Sequence, residues 1–131
     1  MANDADLSDA RRFISEHLSS AEQLDVLLLL HAEPGGSFSA VDVSERVYTV
    51  PAAALLRMDE LARAGLLMTD GAADPRYRYA PASPALAERV DTLARAYRAD
   101  RVGVVRMIYD KPKDDPVRSF ADAFRLRRPG G

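Results

Sequence analysis

A chain of 131 residues, 47% of them hydrophobic and with a net charge of −2, suits one domain with its own core and a short arm, and its overall charge gives no reason to expect nucleic acid. It has no cysteine, which excludes disulfides, thiolate metal sites and cysteine nucleophiles and fits a reducing compartment. The longest apolar run, residues 26–30, is too short to span a bilayer, and the acidic first residues lack the apolar core of a signal peptide, so we expect a cytoplasmic protein with no membrane contact.

The first two predicted elements are helices. Residues 7–18 place apolar side chains among charged ones at helical spacing, which predicts a short amphipathic helix. A second helix should begin after Ser19 or Ser20, because each serine forms a capping box with the residue three positions on. We expect His31 to cap the C-terminus of this helix, aided by the helix dipole.

Two further helices, joined by a tight turn, occupy the middle of the chain. Ser39 and Asp42 form a capping box that starts a short helix. Residues 48–50 link it to Pro51, which suits a first helical position, and Gly65 stands where the longer second helix needs a left-handed stop. The inward face of this second helix is predicted to carry Ala54, Met58 and Leu61.

A two-stranded hairpin is predicted directly after Gly65. Residues 66–69 read as a strand and residues 70–75 as a turn. The return strand alternates cationic and aromatic residues, which points Arg76 and Arg78 to solvent. Two interpretations stay open: the arginines reach phosphates, or they are ordinary solvated side chains of a strand.

The third predicted unit is one long helix over residues 83–110, about 40 Å long at 1.5 Å per residue. Ser83 and the proline that follows it suit a helix start, and Gly103 is the one breaker within the range. Asp100 interrupts a heptad-like apolar seam, where it either fixes the register or marks the place at which the helix leaves its partner. The seam, which we expect to form a dimer interface, consists of Leu86, Val90, Leu93, Tyr97, Val104 and Met107.

The remaining residues, 111–131, form an amphipathic basic tail with six Lys or Arg against three Asp. Phe120 and Phe124 lie at helical spacing within it. The tail could be a docking peptide for another protein, a DNA-contacting arm or a membrane helix. We favour a fourth alternative, in which the two phenylalanines pack on the N-terminal helix or on a partner subunit, because exposed phenylalanines forgo roughly 1.5–3 kcal/mol each.

The order of elements over residues 20–80 resembles the winged helix-turn-helix of bacterial transcription regulators of the MarR and PadR kind. The resemblance is carried by residues 42–47, by the helix over 51–61, by the Leu-x-x-x-Gly-Leu-Leu pattern at 61–67 and by the arginine-bearing hairpin at 76–79. It implies a mainly α-helical fold with a small β-hairpin, and a symmetric dimer held by the long C-terminal helix.

With this resemblance the chain divides into four parts. They are an N-terminal amphipathic helix (1–18), a winged helix-turn-helix domain (19–81), a long dimerisation helix (83–110) and the basic tail (111–131). The resemblance also implies double-stranded DNA as the partner, with the second helix of the motif in the major groove, the hairpin beside it and two half-sites about 10 bp or a multiple apart.

Site residues follow from the resemblance position by position. Arg57 would be the main polar contact of the recognition helix, and Arg76 and Arg78 would be the contacts of the wing. The other residues implied to face DNA are Ala52, Ala53 and Leu56.

The recognition helix departs from the usual pattern, because residues 52–56 are all Ala or Leu, whereas base edges are read through hydrogen bonds. Of Leu55 and Leu56, one should be exposed. Residues 38–80 are also nearly neutral, with five arginines against six acidic residues. The alternative is therefore a winged-helix module that binds a protein through its Leu56 face or through Phe120 and Phe124 of the tail.

Catalytic and metal chemistry find little support in the sequence. The histidines, His17 and His31, have no third ligand near them at metal-binding spacing. Asp59 and Glu60 are neighbours on a helix and point apart, so they do not form a catalytic carboxylate pair. No dinucleotide, P-loop or nucleophile motif is present. We expect no metal, no cofactor and no enzymatic activity.

Overall fold

The structure, a computed structural model, describes residues 3–110. Within that range it contains six α-helices and one antiparallel hairpin. The expectations for the tail, including those for Phe120 and Phe124, lie outside the described residues. The elements are α1 (Asp4–His17), α2 (Ala21–Ala32), α3 (Ala40–Arg46), α4 (Pro51–Arg63), β1 (Leu67–Thr69), β2 (Tyr77–Tyr79), α5 (Pro84–Ala99) and α6 (Arg101–Asp110).

Side-chain caps set the starts of most helices. The Asn3 side chain accepts a hydrogen bond from the first turn of α1, and Ser20 and Ser83 do the same for α2 and α5. The capping box predicted for α3 is present in both directions: Asp42 N–H donates to Ser39 Oγ at 3.1 Å, and Ser39 N–H donates to Asp42 Oδ2 at 3.0 Å. Short-range sequence signals therefore determined these boundaries.

The helices pack around one continuous apolar core. α1 lies against α5 and α6, while α4 lies against α2 and α3 and contacts β1. The predicted inward face of α4 is confirmed, because its three residues are fully buried. Among the largest buried side chains of the core are Phe13, Ile14, Leu24, Leu27, Met58, Leu61 and Leu93.

The hairpin begins as predicted, with Gly65 at φ +82°. This left-handed residue turns the chain out of α4, and the Leu66 N–H donates to the Leu61 carbonyl at 3.0 Å. The strands then pair with Met68 opposite Arg78. A contact that the sequence did not predict adds a third segment to the ribbon: Phe38 pairs with Tyr77 through two backbone hydrogen bonds of 2.9 and 2.8 Å.

The expectation of one continuous helix over residues 83–110 is wrong. Asp100 has φ −148° and ψ 73°, which ends α5, and α6 begins at the next residue. The Asp100 carboxylate then accepts a hydrogen bond of 3.0 Å from Gly103 N–H, as an N-cap does. A side chain at position 103 would collide with this carboxylate. The acid in the apolar seam is therefore the cap of a new helix, and α6 folds back onto α1.

The expected dimer seam is corrected for the same reason. Val90, Leu93, Val104 and Met107 are buried in the core of the protomer. Leu86 and Tyr97 are partly buried and pack against that core. These six side chains hold α5 and α6 within one chain, so in this conformation they present no continuous apolar seam to a second copy.

None of the helices within residues 3–110 is both long enough and apolar enough to cross a membrane.

The two faces of α4 should differ sharply in their tolerance to truncation. Met58 is fully buried, whereas Leu56 is 48% exposed. We expect Met58→Ala to lower the free energy of unfolding by about 2–5 kcal/mol, because it leaves a cavity in the core. Leu56→Ala, the matched control on the outer face, should cost less than about 1 kcal/mol. Urea denaturation of both variants measures the difference, and equal losses would show that the rotation of α4 is wrong.

Candidate nucleic-acid interface

The turn between α3 and α4 has an unusual backbone. Tyr48 has φ +58°, a left-handed conformation that normally favours glycine, and its side chain is 95% exposed. The Thr49 N–H donates to the Ser44 carbonyl at 2.9 Å and closes the turn. Val50 occupies the N-cap of α4 without a side-chain hydrogen bond. The turn thus presents an aromatic ring and an uncapped helix start to solvent.

The outer face of α4 is determined by its buried face. Residues at positions i, i+4, i+7 and i+11 from Ala52 share one side of the helix. On this side Ala52, Leu56 and Arg63 are exposed and Asp59 is partly exposed, and Ala53 beside them is also partly exposed. Leu55 packs against the core, which confirms that only one of the two adjacent leucines faces outward. The first two turns of this outer face therefore carry only apolar side chains.

Arg57 does not lie on that outer face, which corrects its expected place. Its Nε donates to Glu22 Oε1 of α2 at 2.9 Å, and its Nη1 donates to Glu60 Oε1 at 3.0 Å. The hydrogen bond from Arg57 is the main cause that holds the pKa of Glu22 below its usual value. The Arg57 guanidinium thus links α4 to α2 with its side chain 25% exposed, and its role as a polar contact to DNA stays a prediction.

Arg63 is the cation that the sequence reading missed. It lies two turns beyond Leu56 on the same side of α4 and is exposed. Within residues 3–110 its guanidinium makes no hydrogen bond or ion pair. The spacing of seven residues from Leu56 could have identified it, had the outer face been traced to the end of the helix.

The two arginines of the hairpin differ in their freedom. Arg76 is held by Ser37, whose Oγ accepts from its Nε at 2.9 Å, and its Nη2 lies 3.3 Å from Asp42 Oδ2. Arg78 is exposed and contacts only the Met68 sulfur, at 3.6 Å, within the described range. Both line a shallow cleft of about 270 Å³ along the hairpin. Arg78 is therefore the more available wing cation, and Arg76 also fixes the hairpin to α3.

A partly buried hydrogen bond joins the hairpin to α4. The Tyr77 hydroxyl donates to Asp59 Oδ1, and burial followed by this bond raises the pKa of Tyr77 to about 12. Tyr79, two residues on, has a buried hydroxyl with no hydrogen-bond partner within the described residues, and burial raises its pKa to about 12. One tyrosine of β2 thus binds Asp59 of α4 through its hydroxyl, whereas the other contributes its ring alone.

His31 does not cap α2 as expected. Its Nε2 lies 2.9 Å from Asp91 Oδ1 on α5, and its ring meets the Tyr79 ring edge-on, with centroids 5.2 Å apart. The histidine therefore connects α2, the hairpin and α5. No group of three or more side chains that could hold a metal ion occurs among residues 3–110.

Comparison with known proteins gives similarity in structure. The sequence matches no protein-family model and no curated relative. MepR, a transcription regulator of the Staphylococcus aureus multidrug efflux pump MepA, has a TM-score of 0.54 at 10% identity, over 93% of this chain and 87% of its own. The YusO protein from Bacillus subtilis has a TM-score of 0.52 at 14% identity, over 93% and 84%. Reduced HlyU from Vibrio cholerae has a TM-score of 0.50 at 21% identity, over 69% and 90%.

At such low identities the comparisons establish the fold. The helix-turn-helix, the two-strand wing and the flanking helices of this chain form a winged-helix fold that is similar to these structures. This confirms the fold that the resemblance in residues 20–80 implied. In this fold α4 is the second helix of the helix-turn-helix, and the β1–β2 hairpin is the wing.

The tyrosines of β2 provide a matched pair for testing the link between wing and helix. Tyr77→Phe removes the donor to Asp59 and should lower the free energy of unfolding by about 1–2 kcal/mol, the range for a hydrogen bond to a partly exposed carboxylate. Tyr79→Phe removes a hydroxyl without a partner and should be neutral or slightly stabilising. Thermal and urea denaturation measure both. A larger loss from Tyr79→Phe than from Tyr77→Phe would contradict the assigned hydrogen bond.

Proposed function

We propose that the protein is a DNA-binding transcription regulator that acts as a homodimer through its winged helix-turn-helix. The observation that carries the proposal is the exposed outer face of α4, which lies in the recognition position beside a wing that bears arginines. A helix held by a buried inner face and open on its outer face is the element that such domains insert into the major groove.

The distribution of charge supports DNA although residues 38–80 are nearly neutral. Arg57 pairs with Glu60, the Asp42 carboxylate caps α3, and Asp59 accepts from Tyr77. Asp70 accepts hydrogen bonds from two N–H groups of its own loop, which keep its pKa low. Much of the acidic charge is thus engaged within the domain, whereas Arg63 and Arg78 are exposed and have no carboxylate partner within residues 3–110.

The start of α4 provides a second contact for phosphate. The N–H groups in the first turn of a helix have no partner within the helix, and here no side chain caps them. Such uncapped N–H groups, together with the helix dipole, favour an anion. A duplex docked on α4 would place a phosphate at this end and base edges along the outer face.

The proposal predicts salt-dependent binding to specific duplexes. Wild-type protein should shift a selected genomic fragment in a mobility-shift titration. Arg63→Ala and Arg78→Ala should each weaken binding and reduce the slope of log affinity against log salt by about 1, because each removes one phosphate contact. Arg98→Ala on α5 is the control and should leave the slope unchanged. Melting temperatures close to wild type would show that the variants fold.

Absence of any mobility shift at low salt, or an equally weak shift on every DNA sequence, would contradict the proposal of a sequence-specific regulator. The second candidate, a winged-helix module that binds a protein, would then gain support. It is favoured by four exposed apolar side chains around the turn, namely Val41, Tyr48, Val50 and Leu56. Under that alternative, Leu56→Asp should remove a partner from a pull-down that retains it with wild type.

The proposed homodimer uses a surface of α6 that differs from the seam expected from the sequence. Val102 and Tyr109 of α6 are 67% and 70% exposed, although both are apolar and lie seven residues apart on one helix. This spacing places them on the same side of α6. An isologous contact between two copies would bury both twice, and a pair of recognition helices would then read two half-sites.

Replacing one residue of this surface should dissociate the dimer. We expect wild type to sediment at twice the mass of one chain, and Tyr109→Asp to sediment as a monomer, because two carboxylates would have to be buried in the contact. Met68→Asp, which alters an exposed apolar residue of the wing, should remain dimeric. A wild-type protein that is monomeric at high concentration would contradict the homodimer.

A further inference from the structure

The outer face of α4 offers methyl and methylene groups where a recognition helix is expected to offer hydrogen bonds. Ala52 and Leu56 are exposed on its first two turns, and the polar side chains nearest to them are engaged elsewhere. Arg57 bonds to Glu22 and Glu60, and Asp59 accepts from Tyr77. Direct readout by donors or acceptors therefore has no side chain available on this part of the helix.

We infer that α4 recognises thymine through its 5-methyl group, and that the apolar outer face of the helix selects thymine at defined positions of the site. The inference rests on the proposed DNA-binding function and specifies what that function reads. Among the four bases, only thymine places an apolar group on the floor of the major groove, and alanine and other apolar side chains are its known partners.

The surroundings of Leu56 favour a duplex as the occupant of this face. Val50 is 61% exposed at the start of the helix and extends the apolar surface toward the turn. Arg63 lies about 10 Å further along the axis, at 1.5 Å per residue, and has no partner within the described part of the chain. Asp59, between Leu56 and Arg63 on the same side, accepts a hydrogen bond from the Tyr77 hydroxyl. An apolar centre with a cation at one end and an uncapped helix N-terminus at the other matches a row of base methyls flanked by phosphates. A purely apolar partner would leave that cation buried and unpaired.

This mode of recognition has a specific consequence for sequence preference. A methyl contact distinguishes thymine from cytosine, and it also distinguishes thymine from adenine at a given position of one strand. It provides less discrimination than a bidentate hydrogen-bonded pair. Selected sites should therefore contain thymines at fixed positions under α4. Each such position should be weakly selective for thymine. The preference of the protein for its site should then be the sum of these small contributions over both half-sites.

Replacing thymine by deoxyuridine tests the inference, because it removes only the methyl group and keeps every hydrogen-bonding atom. A tight-binding duplex is first selected from a random library with wild-type protein. Each thymine is then replaced in turn, and affinity is measured by mobility shift or fluorescence anisotropy. We expect a loss of about fourfold for each methyl in contact with α4, which corresponds to one buried methyl-sized group. Thymines outside the footprint should show no change.

The protein side of the contact is tested with Leu56→Ala. This variant should bind the thymine and deoxyuridine duplexes with nearly equal affinity at the position that Leu56 faces. Met68→Ala, which truncates an exposed apolar residue of the wing, should preserve the wild-type ratio at that position whatever its total affinity. Thermal denaturation checks that both variants are folded.

The outcomes distinguish failure of the thymine inference from failure of the proposed DNA-binding function. A selected duplex that binds equally well after all its thymines are replaced would overturn the inference and leave the DNA-binding proposal intact. The same holds if Leu56→Ala retains the full preference for thymine. Failure to select any duplex would overturn both, and a protein captured through Leu56 would then explain the apolar face.

Discussion

The burial of one stripe of α4 is the constraint on which the proposed site depends. The residues that a helix buries fix its orientation about its own axis. The core contains Ala54, Met58 and Leu61. The opposite side of α4 therefore exposes Ala52, Leu56 and Arg63 to solvent. Side-chain truncation in a close-packed core is costly, which makes this rotation robust. The chemical character of the outer face is therefore a consequence of packing, and the function follows from the residues left outside.

Pairing within the domain explains why net charge is a poor guide to this surface. A sum over residues 38–80 counts Arg57 and Glu60 as if both met solvent, whereas Arg57 binds Glu60 and also Glu22 of α2. The Asp42 carboxylate is likewise used in a helix cap, where the N–H of Ser39 is the main cause of its lowered pKa. What a polyanion meets is the charge that remains exposed, and exposure depends on tertiary contacts.

The sequence predicted those features that depend on neighbouring residues. These features are local signals, each of which has one physical interpretation. They are the caps at Ser20, Ser39 and Ser83, the helix stop at Gly65 and the inner face of α4. Its errors arose where a residue had two readings that only tertiary packing separates. Asp100 could interrupt a seam or cap a new helix, and packing of α6 on α1 selects the cap. The partner of Arg57 is 35 residues away, and the strand-like contact of Phe38 reaches Tyr77, so neither could be read locally.

The same contacts connect the site to the rest of the molecule. Tyr77 holds Asp59 on α4, and two residues further along the same strand Tyr79 packs against His31, which bonds to Asp91 of α5. α5 in turn packs on α1 and α6, the helix that carries the proposed dimer surface. Because these links are hydrogen bonds and ring contacts between separate elements, a shift of α5 relative to α2 would strain the wing and α4 together.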